Sequence, residues 1–478
     1  MKLNYKRTLA AGFAFFLICA FWQAYDNIIP KILTDKFGMP HVWSGAVMAL
    51  DNVLAVFLLP IFGAVSDRHF GKLGRRTPFI LFGTVAAAAG LVVLSIVDNI
   101  QLAHLGEYGS PAETTAANPW ILVLFMGILM IVLVSMSIFR SPAVALMPDI
   151  TPKPLRSKAN AVINLMGSAG GILVLALGIV FGTGKPENAT MSYTVFFSVI
   201  AGLMLAALVI FLLTVREKKW AAEAEKINDA LDAETKKSPE KESNDAKTGE
   251  NAAKTQKNAE NSANAPKNGG NSAKSGLSRG EMKSLILILA SVVLWYMGYN
   301  AVTSKYSVYA GDVLGLDYNL TLIVAQAAAI VSYIPVGIIS SKLGRRKTIL
   351  AGVCMLGAAF LAAAFINKGS SVIVMNLLFA LAGIGWATIN VNSYPMVVEL
   401  AGSGDVGKYT GYYYTASMSA QIITPILSGA FLTYGGMRTL FPYAAIFVAG
   451  SFVTMLFVRH GDSKGEKKAL LEHLDVGD

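Results

Sequence analysis

Lys72-Leu73-Gly74-Arg75-Arg76 closes one long apolar run of this chain, and the same five residues close another at Lys342-Leu343-Gly344-Arg345-Arg346. Before the first copy stands Gly63-Ala64-Val65-Ser66-Asp67-Arg68 and after it Thr77-Pro78-Phe79; before the second stands Gly337-Ile338-Ile339-Ser340-Ser341. A basic turn returning at matching points of two apolar stretches reads as a duplicated structural unit. A weaker echo agrees with it, pairing Asp149 with Glu399 and Lys158 with Lys408.

Outward from both copies, apolar segments recur along nearly the whole sequence. Of its 478 residues 54% are hydrophobic and only 15% charged, a balance that fits a membrane protein better than a soluble one. Crossing the hydrocarbon takes about 20 mostly apolar residues. Twelve such spans are expected, at 8–30, 43–65, 78–98, 119–146, 158–182 and 193–214, then at 283–304, 318–340, 348–366, 371–396, 410–434 and 439–458. The expected fold is therefore an all-α membrane protein of twelve transmembrane helices in two pseudo-symmetric six-helix bundles. The expected division is a first bundle at 1–216, a linker at 217–280, a second bundle at 281–459 and a tail at 460–478. The first run contains Trp22, Gln23 and Asp26 and lacks a small-residue cleavage site, so it reads as a retained helix and not as a signal peptide.

The formal charge of +10 is spread over short inter-span segments and gathers on no single domain, which argues against a nucleic-acid partner. One alternate set of loops holds Lys2, Lys6, Arg7, Arg68, Lys72, Arg75, Arg76, Lys153, Arg156, Lys158, Lys342, Arg345, Arg346, Lys347 and Lys408; the other holds Lys31, Lys36, Lys185, Lys305, Lys368 and Arg438. Basic loops stay cytoplasmic, so both termini are expected there. Glu217 to Arg279 is dominated by Lys, Glu, Asn, Ala, Ser and Gly and reads as a cytoplasmic tether, its first part helix-forming and able to extend the sixth helix. Cys19 and Cys354 lie in separate apolar stretches, which suggests buried thiols and neither a disulfide nor a zinc site.

The basic turns resemble the Gly-x-x-x-Asp-Arg-x-Gly-Arg-Arg signature of the major facilitator superfamily, with an insertion in the first copy and Ser341 in place of the acid in the second. The string SDRHFGKLGRRTPFI is similar to one in plant sucrose transporters and their bacterial and animal relatives, within or near the glycoside-pentoside-hexuronide:cation symporters. So are Ser141–Asp149 and Arg156-Ser157-Lys158-Ala159-Asn160-Ala161. Val144 stands where those carriers have a membrane arginine, and Arg140 comes one helical turn earlier on a similar face. The resemblance implies secondary transport of a small solute, a sugar, by alternating access between two bundles. It implies coupling to a cation, H+ first and Na+ as the alternative, in the lipid bilayer of a cell membrane; no cofactor and no metal are expected, and a monomer is expected because each chain contains both halves.

Ionisable groups at membrane depth are expensive and mark function, which singles out Asp26, Asp51 and Arg140 as coupling candidates. Asp26 and Asp51 also lie near the outer ends of their helices, where water alone would satisfy them. Sugar sites combine amides with aromatic faces. The candidates are Trp22, Gln23 and Asn27; Trp295, Tyr299 and Asn300, the first two spaced to share a face; Trp386, Asn390 and Asn392; and Tyr413 and Gln421. Each aromatic can equally be helix packing, and a bond between helices would satisfy Asn390 or Asn392 as well as a substrate would. Gating candidates are Asp67, Arg68, Arg75, Arg76, Asp149, Arg156, Arg345, Arg346 and Glu399. An exporter of drugs or metabolites and a non-transporting membrane sensor remain alternatives. No hydrolase, metalloprotease or phosphate-loop motif occurs, so an enzyme is not expected.

Overall fold

The computed structural model describes residues 3–69, 71–152, 155–230, 277–400 and 406–461. Among them are twelve long helices: α1 Tyr5–Lys31, α2 His41–Asp67, α3 Thr77–His104, α4 Pro119–Ile150, α5 Arg156–Phe181 and α6 Thr194–Thr214, then α7 Arg279–Tyr309, α8 Tyr318–Leu343, α9 Arg345–Ala363, α10 Val372–Val398, α11 Val406–Gly435 and α12 Leu440–Leu456. Eleven are long and apolar enough to cross a membrane, and α8 carries a shorter apolar run, Tyr318–Tyr333. Each overlaps one expected span. A short helix, Pro111–Ala117, and a helix at 217–230 lie between the long ones.

Two hydrophobic cores form. Phe21, Phe125, Phe139 and Phe197 are buried within α1–α6, and Trp295, Tyr306, Phe360 and Phe441 within α7–α12. Large apolar residues such as Phe57, Val123, Leu213 and Ile446 remain exposed on the outside, as a hydrocarbon solvent permits. The end of the molecule that carries Lys72–Arg76 and Lys342–Arg346 is called the basic face below, and the other the opposite face.

The halves are sealed together at the opposite face. A Cβ on Gly45 of α2 would lie 1.9 Å from the carbonyl oxygen of Pro425 on α11, so only glycine permits this approach. The Val42 amide donates to Thr433 Oγ1 (3.0 Å), Lys305 Nζ to the His41 carbonyl (3.3 Å) and Asn319 Nδ2 to Thr183 Oγ1 (3.4 Å). The Tyr318 and Thr183 hydroxyls lie 3.2 Å apart. Among the described residues, the ion pairs at the basic face each stay within one half or its trailing helix. The molecule is thus closed at the opposite face.

Several expectations need correction. Lys31, Lys36 and Lys305 are interior groups and not loop cations, because α1 runs through Pro30 into a π-turn, Ile32–Lys36, and α7 likewise extends to Tyr309. Lys36 pairs with Asp98 at 2.5 Å, both fully buried, and its ammonium sits 4.4 Å from the ring centre of Tyr193. Cys354 is exposed on the outer surface of α9, where hydrocarbon accepts a thiol readily. The helix at 217–230 does not extend α6, from which Val215 and Arg216 separate it. Its Glu217, Trp220 and Ala224 are buried against the first half. The rest of the expected linker, 231–276, lies outside the described residues, as does the tail beyond 461.

Candidate functional site

In the first half α1, α2 and α4 bring three ionisable groups together. Arg140 is within electrostatic reach of both Asp51 and Asp26, and the two acids are within reach of each other. The guanidinium carbon of Arg140 lies 5.4 Å from the ring centre of Trp22, a cation–π distance. Asp51 Oδ1 accepts from Asn52 Nδ2 at 2.8 Å, and all three charged side chains are only half-buried. Placed one turn after Trp22 on α1, Asp26 joins a cluster whose charges balance only in part: two acids face one cation.

The second half supplies aromatic and amide groups. Tyr299 of α7 stacks on Trp386 of α10 with ring centres 3.8 Å apart and planes 5° from parallel, and Tyr296 meets Trp386 edge-on at 5.2 Å. Asn390 is half-buried on α10, and the Tyr413 and Ser393 hydroxyls lie 2.9 Å apart. Asn392 is a helix tie: it bonds the Ser340 hydroxyl and donates to the Thr388 carbonyl at 2.8 Å. Gln421 donates to Ser417 O at 3.4 Å and Asn27 to Gln23 O at 2.7 Å. Among the described residues, Trp22 Nε1, Trp295 Nε1 and Asn300 Nδ2 are buried donors without a hydrogen-bond partner, as are core hydroxyls such as those of Tyr193 and Tyr443. Trp295 departs from expectation. It is fully buried in the second core, while Tyr299, one turn further on, is half-buried against Trp386.

At the basic face each half builds its own charge cluster. Arg76, 5% exposed, holds Asp67 at 2.5 Å, Asp149 at 2.8 Å through Nε, and the Ser66 hydroxyl at 2.5 Å. In the second half Arg345 pairs with Glu399 and donates to Pro395 O at 3.4 Å, so both acids of the Asp149/Glu399 echo are held by the basic turn of their own half, Asp149 by its second arginine and Glu399 by its first. Arg346 donates to Leu456 O at 2.6 Å, meeting orphan carbonyls at the end of α12. Arg68 is exposed and Arg75 half-buried, while the side chain of Arg156 lies outside the described residues.

Sequence reasoning passed over Glu217 and Gln326. Glu217, assigned to the tether, is buried and accepts from the amides of Arg75 (2.6 Å), Arg76 (2.9 Å) and Thr77 (2.8 Å) at the start of α3. Its signal was available in Thr77-Pro78, a helix start that wants an acid. Gln326, an amide in the middle of the apolar run of α8, bonds Gln23 across the halves at 2.6 Å.

Two bundles joined through a polar centre and a seam at one face make a secondary transporter's architecture. The family model of the Major Facilitator Superfamily matches residues 11–417 and 318–475, and the chain belongs to that superfamily. It is a multi-pass integral membrane transporter and not an enzyme. A sucrose transport protein of Arabidopsis thaliana is 29% identical over 30% of this chain and 28% of its own length. An uncharacterized symporter of Synechocystis is 24% identical over 39% of the chain and 32% of its own. The proton-associated sugar transporter A of Homo sapiens is 27% identical over 30% and 18%. The chain thus matches a third or less of the length of these relatives. Among solved structures, the inward open xylose transporter XylE from E. coli superposes with a TM-score of 0.60 at 15% identity over 98% of both chains. The peptide transporter POT in complex with sulfate reaches 0.62 at 13%, over 95% of this chain and 93% of that one. These likenesses concern the fold alone.

Proposed function

We propose that this transporter carries a glucoside or oligosaccharide together with protons, by alternating access, with the basic face in the cytoplasm and the chain acting as a monomer. The observation that carries the reading is the gathering of Arg140, Asp26 and Asp51 within electrostatic reach of one another in one half, while the other half offers the stacked Tyr299–Trp386 surface and amides. One cation near two acids is balanced in charge when one acid is ionised, so the second can take up and release a proton without leaving the cluster unbalanced. Proton occupancy then changes which groups remain for a solute's hydroxyls, and that is the linkage symport requires. Aromatic faces cover the apolar side of a pyranose while amides meet its hydroxyls. Relatives named as sucrose and proton-associated sugar transporters support the solute class. Lys and Arg enrichment at the basic face supports the orientation.

The test is uptake of radiolabelled sucrose, maltose and related glucosides into proteoliposomes, with and without an inward proton gradient, beside Asp26→Asn. Gradient-stimulated uptake that the variant loses supports the proposal. Absence of glycoside uptake by folded protein overturns the sugar reading and turns attention to export substrates.

A further inference from the structure

One polar contact joins the halves beside the candidate site. Gln326 Nε2 on α8 donates to Gln23 Oε1 on α1 at 2.6 Å, and both side chains are half-buried. Both are set by close backbone approaches. A Cβ on Gly171 of α5 would lie 3.2 Å from Gln23 Oε1 and 3.3 Å from Gln326 Oε1, so a bare stretch of α5 floors the pair. A Cβ on Gly383 of α10 would lie 2.1 Å from the Ala325 carbonyl oxygen, so α8 is pressed on α10 at the residue before Gln326.

Packing alone does not ask for two amides here, since small apolar residues bring membrane helices together as well. The bond uses one N–H of Gln326 and one lone pair of Gln23. An amide group carries two donors and two acceptor positions, so each side chain retains capacity of both kinds. A sugar hydroxyl both donates and accepts, and neighbouring hydroxyls match that mixed set.

We propose that Gln23 and Gln326 form a clasp that closes the empty transporter at the opposite face, and that adjacent hydroxyls of a bound solute take over its hydrogen bonds. Gln326 is then a specificity-determining residue of the second half. The solute class rests on the proposed function; the clasp itself does not. With the clasp intact α1 and α8 are tied, and the Thr183, Tyr318 and Asn319 contacts close beneath the same tie. With a solute in place the tie runs through the solute, so only an occupant bearing paired hydroxyls keeps the two halves connected.

Two readouts test this on full-length protein in nanodiscs. In a Cys19→Ser/Cys354→Ser background, Ser44→Cys reports the seam, Ser44 being fully buried beside Gly45. Without solute, Gln326→Met and Gln23→Met should each speed labelling of that cysteine by a polar maleimide several-fold. The double variant should label no faster than either alone, because one bond is lost only once. Unchanged labelling in both single variants overturns the clasp. Sucrose and maltose binding is then measured on the same proteins without the cysteine changes. Loss of about tenfold in affinity in Gln326→Met, the worth of one hydrogen bond left unmade, supports the hydroxyl-reading role. Faster labelling with wild-type sugar affinity retained overturns that role and leaves a gate alone. Faster labelling where wild-type protein binds no glycoside overturns the sugar reading and leaves the clasp standing. Gln326→Asn keeps the amide while shortening its reach, and should behave as Gln326→Met if position matters.

Discussion

Oε2 of Glu217 accepts both the backbone amide and the hydroxyl of Thr77, at 2.8 and 2.7 Å, while Oε1 takes the amides of Arg75 and Arg76. One carboxylate from the segment after α6 therefore caps the start of α3, next to the arginine that holds Asp67 and Asp149. Gly74 makes room for it: its φ is +119°, and a Cβ there would lie 2.3 Å from Glu217 Oε2. The helix that Glu217 begins is fastened again at Arg7, which pairs with Glu223 at 2.5 Å and lies 5.4 Å from the Trp220 ring centre.

Glu217→Ala strands several buried amides at once, and hydrogen bonds to a charged group are worth more than neutral ones. The expected loss is about 3 kcal/mol of stability, seen as a lower unfolding temperature in detergent. Glu217→Gln, which still accepts but without charge, should recover part of it. Equal stability of wild type and Glu217→Ala would show that solvent replaces the cap.

Much of this architecture was legible because membrane insertion writes itself into composition. Twelve apolar runs and a repeated Lys-Leu-Gly-Arg-Arg turn follow from the need to satisfy backbone groups in lipid and to keep cations on one side. The acids Asp149 and Glu399 were visible as an echo between positions, but not their partners, since the second arginine of the turn holds one and the first holds the other. Glu217 was hidden because an acid inside a Lys/Glu-rich stretch looks solvated; only the fold of α3 against it makes it interior. Lys36 and Asp98 were hidden for a related reason: a π-turn carries Lys36 inward to meet a residue far along the chain. Trp295 and Tyr299 share a helical spacing, yet spacing does not say which of two neighbours faces the polar centre.

Arg140 balances Asp26 and Asp51, so Arg140→Met should leave two acids near each other with no cation. Removing the cation from this half-buried cluster leaves like charges facing each other, and uptake should fall roughly a hundredfold. Arg140→Lys should restore little, since a compact ammonium does not reproduce the guanidinium's planar contact over the Trp22 ring. Adding Asp51→Asn to Arg140→Met should return thermal stability without returning gradient-driven uptake. Proteoliposome transport and thermal unfolding on the same preparations decide it.

Trp386 and Trp295 should separate affinity from stability. Trp386→Ala removes the partner on which Tyr299 stacks, and the expected effect is about tenfold weaker solute binding with modest loss of stability. Trp295 is enclosed by the second core, and Trp295→Ala should cost about 3–5 kcal/mol by leaving a cavity while affinity in the surviving folded fraction stays near wild type. If Trp295→Ala weakened binding more than Trp386→Ala, the site would have to be redrawn toward the other side of α7.

Lys305 is fully buried in the seam, and among the described residues its ammonium meets the His41 carbonyl at 3.3 Å and no carboxylate. A buried cation so thinly compensated strains the closed seam. Lys305→Met keeps the shape and removes the charge, so it should stabilise the seam by about 1 kcal/mol or more. A higher unfolding temperature, slower labelling of Ser44→Cys and slower transport are expected together. A fall in unfolding temperature would mean that the carbonyl contact outweighs the burial of the charge.

Gly45 provides the opposite perturbation, and its two effects carry different signs. On α2 itself Gly45→Ala should be favourable, because alanine exceeds glycine in helix propensity by about 1 kcal/mol. At the seam it is unfavourable: the new Cβ would sit 1.9 Å from the Pro425 carbonyl oxygen, a backbone atom that cannot rotate away. Gly429 of α11 meets the His41 carbonyl oxygen in the same manner, with a Cβ there at 2.3 Å, so neither helix can retreat along the other to relieve the clash. The closed seam should therefore be lost while the first half stays folded, and the population should move toward the state open at the opposite face. Distances between spin labels across the two faces, measured in Gly45→Ala and wild type, should lengthen at the opposite face and shorten at the basic face. Lengthening at both faces would instead mean that the halves had come apart, and that α2 and α11 hold the transporter together as well as gate it.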